Sequence, residues 1–273
     1  MIRLLIIGSS HVGAYKNAAD RFASIYPEIA LYFFGVRGPL FLTGKMDAQG
    51  VFSPPLKAAK DRDFVTATNG APIVDASAHD HVLLVGHRFD FNAVLSLMED
   101  HDILEGARTG APRLITRALF EEVLALKVGA AIDQATAPLA AYARPLSFAM
   151  APYPAFSITE RGEGYELARL LGRFWQRADA GDIHTQWLNA VRAGLEARGH
   201  HLLVQSEALN AAPYATRSEY AARAAALDGA LGRTDHRHMN ADYGLAMLCA
   251  YAETHLRLSP QGAQTRSELE RSA

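Results

Sequence analysis

Short runs of apolar residues, separated by longer segments with helical periodicity, organise this chain. The first run covers residues 2–7 and ends at Gly8, and the second covers 29–34 and ends at Gly35. A continuous aliphatic run closed by glycine is typical of a strand that is buried on both faces of a parallel sheet. Similar runs predict three more strands, at 81–86, 146–150 and 201–205.

Apolar residues three or four positions apart fill most of the intervals between these runs and predict helices. The expected helices cover residues 11–26, 113–133, 165–178, 183–198 and 241–256. Alternating strands and helices favour an open, mostly parallel sheet with helices on both faces, which is a three-layer α/β/α fold with five strands. In such sheets ligands bind at the carboxyl ends of the strands, so the loops that follow the strands are the first candidates for a site.

Between residues 39 and 81 the helical periodicity is lost. Residues 64–70 end in Asn-Gly after a β-branched and aromatic stretch, which predicts a hairpin turn. We interpret 39–81 as an insertion into a single domain that covers 1–258, and we expect residues 259–273 to form a polar C-terminal tail.

The turn after the first strand, Gly8-Ser9-Ser10-His11, is a candidate site for chemistry. Backbone N–H groups at a helix start, together with the helix dipole, favour developing negative charge. Ser10 could be a nucleophile there, or it could simply be the helix N-cap. The turn has neither the Gly-x-Gly-x-x-Gly of dinucleotide-binding folds nor the Gly-Lys-Ser/Thr of a P-loop, so a dinucleotide-binding oxidoreductase is a distant alternative.

A second candidate stretch, Asp235-His236-Arg237-His238, lies near the other end of the chain. Serine hydrolysis requires a nucleophile, a base within hydrogen-bond reach and a carboxylate that orients the base. Because Asp235 and His238 are three positions apart on a turn, Asp235 could fold back onto His238, whose other ring nitrogen would then face Ser10. The alternative is that Asp235 caps the last helix and that the histidines are surface residues.

Together the two stretches resemble the SGNH/GDSL hydrolases, a superfamily of serine esterases and acyl hydrolases with a flavodoxin-like α/β/α fold. The first turn is similar to the family's Gly-Asp-Ser-Leu block, and the second stretch is similar to its Asp-x-x-His block. The resemblance implies a catalytic triad of Ser10, His238 and Asp235. The matches are to short blocks at both ends of the chain, and the middle is not covered.

The resemblance also implies an oxyanion hole. Gly38 stands where the family's second block has a glycine, whose N–H would join that of Ser10. The third block, Gly-x-Asn-Asp, reads Gly-His-Arg-Phe-Asp here and lacks the donor asparagine. Arg88 or His87 could donate instead, or the hole could consist of the two N–H groups alone; we assign Arg88 to the hole, and His11 and His87 to substrate binding. Loss of one such donor typically lowers the rate by roughly 10²–10³.

Composition narrows the possible partners. The chain has 273 residues, of which 49% are hydrophobic and 21% charged, and its net charge is −2, so we expect a globular protein that does not bind nucleic acid. No apolar run approaches membrane-spanning length or the core of a signal peptide, so we expect a cytoplasmic protein without membrane contact. The histidine pairs lack acid or cysteine partners at ligand spacing, so we predict neither a metal ion nor a cofactor.

The sequence thus predicts a serine hydrolase that cleaves a carboxylic ester. The expected activity is that of an esterase or deacetylase, and the expected substrate is a small-molecule or carbohydrate-linked acyl ester. Because the third block is altered, a second hypothesis is a non-catalytic binding or accessory protein on the same scaffold. The acyl group, the alcohol and the oligomeric state are not indicated by the sequence.

Overall fold

The computed structural model describes residues 1–223 and 234–260, and a five-stranded parallel sheet forms its centre. The strands are β1 (Ile2–Gly8), β2 (Ile29–Gly35), β3 (His81–His87), β4 (Ser147–Met150) and β5 (His201–Leu203). Every neighbouring pair is parallel, and the order across the sheet is β5-β4-β3-β1-β2. This 2-1-3-4-5 order is that of the flavodoxin-like doubly wound fold.

Helices cover both faces of the sheet. In the described part they are α1 (Val12–Asn17), α2 (Ala19–Ile25), α3 (Gly38–Leu42), α4 (Ala59–Asn69), α5 (Phe91–Asp100), α6 (Arg117–Thr136), α7 (Glu166–Trp175), α8 (Ala180–Glu196) and α9 (Ala241–Thr254). Leu4 and Ile6 of β1 are buried with α1, α2 and α9, whereas Leu5 and Ile7 are buried with helices that include α6 and α8. Because side chains alternate along a strand, β1 contributes to two cores, and the predicted three-layer α/β/α fold is confirmed.

Short strands and turns complete the structure. An antiparallel sheet joins Lys45–Met46, Val51–Ser53 and Val74–Asp75. The short pairs are His101–Ile103 with Arg113–Ile115, Asn210–Ala212 with Ala215–Thr216, and Ala221–Arg223 with Thr234–Met239. Four 3₁₀ turns lie at Ala137–Leu139, Phe156–Arg161, Glu207–Leu209 and Ser218–Tyr220 in the described residues.

The hairpin predicted at 64–70 was wrong, because these residues end a helix. Residues 59–69 form α4, and Gly70 follows it with a φ of +77°, a left-handed conformation that glycine adopts without steric cost. Asn-Gly therefore acts as a helix stop. The inserted segment thus contains α4, which packs beside β2 on the path to β3.

Other helices also differ from the prediction. The helix predicted at 11–26 is divided at Ala18 into α1 and α2. The helix predicted from 113 begins only after Thr116, whose hydroxyl accepts the N–H of Leu119 at 3.2 Å and caps α6. Helix α5 was not predicted. The predicted tail lies outside the described residues from position 261 onward.

Candidate active site

Ser10 lies in the turn between β1 and α1 and is exposed to solvent. Gly8 is required before it, because a Cβ at this position would lie 2.2 Å from the carbonyl oxygen of Val85 on β3. The N-cap of α1 is His11, with no side-chain cap, so Ser10 is not the capping residue. Its Oγ instead lies 2.7 Å from Nε2 of His238.

His238 and Asp235 form the second half of the arrangement. Oδ2 of Asp235 accepts from Nδ1 of His238 at 2.6 Å, while its Oδ1 accepts the backbone N–H of Arg237 at 2.9 Å and that of His238 at 3.2 Å. The carboxylate therefore fixes both the loop and the tautomer with the proton on Nδ1, which leaves Nε2 free to accept a proton from Ser10. The predicted triad residues are thus brought into one hydrogen-bonded chain.

The charge state of Asp235 follows from these bonds. Partial burial by itself would raise its pKa, but the hydrogen bonds from Arg237 and His238 outweigh this effect, and the pKa lies below its ordinary value. The last helix is capped by Asn240, whose Oδ1 accepts the N–H groups of Asp242 and Tyr243 at 3.1 Å each. Asp235 is therefore free of the capping role considered above.

His11 packs against His238. Its ring centroid lies 5.1 Å from that of His238, and its Nδ1 is buried without a hydrogen-bond partner in the described residues. Burial, followed by the charges of Arg88 and His238, lowers the pKa of His11 to about 3. A neutral His11 adds no positive charge beside His238. Only 8% of its surface is exposed, and its predicted role in substrate binding stays a prediction.

The predicted oxyanion hole uses backbone N–H groups from the segments that follow β1 and β2. The N–H of Gly35 donates to Oδ1 of Asn69 at 2.8 Å and that of Val36 to the carbonyl of Gly8 at 2.9 Å, so both are occupied. In the described part of the chain, the N–H groups of Ser10 and Gly38 have no acceptor. Gly38 is the first residue of α3, where helix N–H groups lack intrahelical acceptors. Their convergence on one oxyanion stays a prediction.

The altered third block forms the loop after β3. Gly86 has a φ of +123°, and a Cβ there would lie 2.5 Å from Oγ of Ser9, so the loop passes close to the turn that holds Ser10. The ring of His87 packs against Phe41, Phe89 and Phe148 and is only 6% exposed, and burial lowers its pKa to about 4.

Arg88 is exposed and close enough to lower the pKa of His11. It also borders two cavities that include Tyr214. The assignments of Arg88 to the oxyanion hole and of His87 to substrate binding stay predictions.

Two cavities flank this region. One, of about 250 Å³, has Ser10 in its wall and is otherwise mainly apolar. The other, of about 480 Å³, lies along the loop after β3 and is bordered by charged residues, among them Arg88, Asp90 and Lys127. Among residues 1–223 and 234–260, no group of three or more His, Cys, Asp or Glu side chains is arranged to hold a metal ion. None of the helices described is long and apolar enough to cross a membrane.

Sequence reasoning missed the part of the site that comes from α4. Asn69 fixes the end of β2 by bonding both the N–H and the carbonyl of Gly35. Phe64 and Thr68 of the same helix border the cavity beside Ser10. The signal was present in the sequence, because a glycine that follows a polar residue is also the usual stop of a helix; it was interpreted as a hairpin turn instead.

Comparison with known proteins adds little to this geometry. No family model matches the chain, and no curated protein matches it. Among solved structures, it is similar to the periplasmic domain of a lipopolysaccharide acetyltransferase from Salmonella ser. Paratyphi A, with 12% sequence identity and a TM-score of 0.36 over 94% of this chain and 84% of that chain. A likeness at this level identifies neither a family nor an activity.

Proposed function

We propose that this protein is a serine hydrolase that cleaves carboxylic esters, with chemistry of the SGNH type. The observation that carries the proposal is the hydrogen-bonded chain from Ser10 Oγ through His238 to Asp235. A base 2.7 Å from an exposed hydroxyl, held by a carboxylate on its other nitrogen, is the arrangement that activates a serine. Ser10 is reached from solvent, as a nucleophile must be.

The reaction would run in two halves. Ser10 Oγ attacks the ester carbonyl while its proton passes to Nε2 of His238, and the N–H groups of Ser10 and Gly38 stabilise the oxyanion. The intermediate then collapses, the bond to the alcohol oxygen breaks, and His238 donates its proton to that oxygen, which leaves an acyl group on Ser10. Water, deprotonated by His238, attacks this acyl group, and Ser10 leaves with the proton returned by His238.

The test is Ser10→Ala with an aryl acetate as substrate. We expect turnover to be abolished while circular dichroism and the melting temperature stay those of the wild type, because Ser10 is exposed and does not cap α1. A fluorophosphonate should form an adduct at Ser10 of the wild-type protein, located by peptide mass spectrometry. Unchanged turnover in the variant, or absence of an adduct on the folded protein, would instead favour a non-catalytic binding or accessory protein.

A further inference from the structure

An apolar cleft of about 250 Å³ opens directly beside the nucleophile, and we call it the Ser10 cleft. Three elements build its wall: α1, the end of β2, and α4. Its wall includes Ser10, Val12, Phe33, Val36, Phe64 and Thr68, and the charged residues Lys16 and Arg37 also border it. A ligand group attached to Ser10 would therefore have carbon surface next to it.

The wall of the Ser10 cleft is formed before any ligand binds. Asn69 joins α4 to β2 through hydrogen bonds of 2.8 Å from the N–H of Gly35 and 2.9 Å to its carbonyl. The guanidinium of Arg37 lies 4.4 Å from the ring centroid of Phe64 and pairs with Asp61 at 3.4 Å. A preformed wall loses little conformational freedom when a ligand enters, which favours affinity.

Phe64 leaves apolar surface uncovered at this cleft. Phe64 is a large hydrophobic residue, yet 39% of its surface is exposed to solvent. It lines the same cleft as Ser10. An aliphatic group in the cleft would remove part of this surface from water, which is favourable in proportion to the area covered.

The other cavity near the turn has a more polar lining. It is bordered by the charged residues Arg88, Asp90 and Lys127. Covering charged groups with an aliphatic chain would desolvate them without compensation, which is costly. The exposed lining of the Ser10 cleft is mostly carbon, which suits the apolar part of an ester, whereas the second cavity offers more polar partners, which suits a polar part such as a sugar alcohol.

We infer that the Ser10 cleft binds the acyl chain of the substrate, and that the substrate is a medium-chain acyl ester rather than an acetyl ester. The inference rests on the proposed hydrolase function and adds the substrate class. A methylene group takes up about as much space as a water molecule, which is about 30 Å³. A cleft of about 250 Å³ therefore accommodates a chain of about six to eight carbons. An acetyl group would leave most of it unfilled.

The test is a series of alkyl phosphonofluoridates with methyl, butyl, hexyl and octyl chains, which become attached to Ser10 as an acyl group would. Intact-protein mass spectrometry gives the second-order rate constant of labelling, normalised to each probe's reactivity with hydroxide. We expect the constant to rise by roughly two- to fourfold for each methylene as far as hexyl, because each methylene is removed from water. A flat series, or one that is fastest with methyl, would overturn the acyl-chain inference while leaving the hydrolase proposal intact.

A variant that fills the cleft sharpens the test. Thr68→Trp places a large ring in the wall, so the ratio of the octyl to the methyl rate should fall at least tenfold. The matched control is Ala67→Trp, which adds the same ring at an exposed neighbouring position of α4 that does not border the cleft, and it should keep the wild-type ratio. Equal ratios in both variants would contradict the inference. Absence of any Ser10 adduct with every probe would overturn the hydrolase proposal and this inference with it.

Discussion

The two carboxylate oxygens of Asp235 make different contacts. Oδ1 binds the N–H groups of Arg237 and His238, which fixes the backbone of the loop, and Oδ2 holds Nδ1 of His238. Because these bonds keep its pKa below the ordinary value, the group is a carboxylate at neutral pH. In the proposed mechanism this carboxylate would stabilise the imidazolium formed when His238 takes the proton of Ser10.

Asp235→Asn should lower kcat for an aryl ester by roughly 10³–10⁴, because the amide no longer selects the tautomer that leaves Nε2 as a base. The measurement is steady-state turnover, with the KM expected to change little. Asp242→Asn is the control, since Asp242 is an exposed acid whose partner is Arg21, and it should retain turnover within twofold. A loss of less than tenfold in Asp235→Asn would contradict the role assigned to the carboxylate.

Helices α1 and α9 bring the two halves of the site together. Ser10 precedes α1, and His238 precedes α9, so the packing of these helices sets the distance between Ser10 and His238. Gly244 of α9 permits this packing, because a Cβ there would lie 2.1 Å from the carbonyl oxygen of Ala14 in α1. The backbone of α1 occupies the space that a side chain would need.

Gly244→Ala should therefore separate the helices, lower the free energy of unfolding by about 1–3 kcal/mol and reduce esterase activity. Urea denaturation and turnover measure the two effects. Gly129→Ala is the matched control, because Gly129 lies within α6 with nothing near its missing Cβ. It should stabilise the protein by up to about 1 kcal/mol with activity unchanged. If both variants behave alike, the close contact between α1 and α9 does not determine the geometry of the site.

Three buried histidines make the stability of the folded protein depend on pH. Burial lowers the pKa of His11 to about 3, and that of His87 and of His184 to about 4. Below pH 6.5 the unfolded chain binds protons at these positions and the folded protein does not. Their contribution to stability is thus complete above pH 6.5 and is lost as the pH falls toward 4 and 3.

We expect the free energy of unfolding to decrease steeply between pH 6.5 and 5, by up to about 2 kcal/mol for each of the three histidines. Urea denaturation at a series of pH values measures this slope. His184→Phe removes one titrating group whose Nε2 is buried without a partner in the described residues, and the aromatic ring retains contacts with Phe91 and Trp187. Its slope should be smaller than that of the wild type by up to about 1.4 kcal/mol for each pH unit, the contribution of one proton; an identical slope would contradict the assignment.

The predictable part of the site is the part encoded in short stretches. Asp235 and His238 are close in the chain, so their spacing alone allows the contact at 2.6 Å. Ser10 follows a strand whose aliphatic run ends in glycine, a pattern set by burial on both faces of a sheet. The Ser10 cleft was not predictable in this way, because its wall combines three elements, and one of them, α4, was interpreted as a hairpin.

Burial and local spacing act along the chain, and they determine the alternation of strands and helices and the α/β/α class. The three candidate catalytic residues were assigned from the resemblance of two short sequence blocks to a known family. Distances between remote segments depend on how the elements pack. The contact of 2.7 Å between Ser10 and His238 joins positions 228 residues apart, and it depends on the sheet order and on the close packing that Gly244 permits. The apolar cleft likewise exists only because α4 packs against β2, where Asn69 holds it.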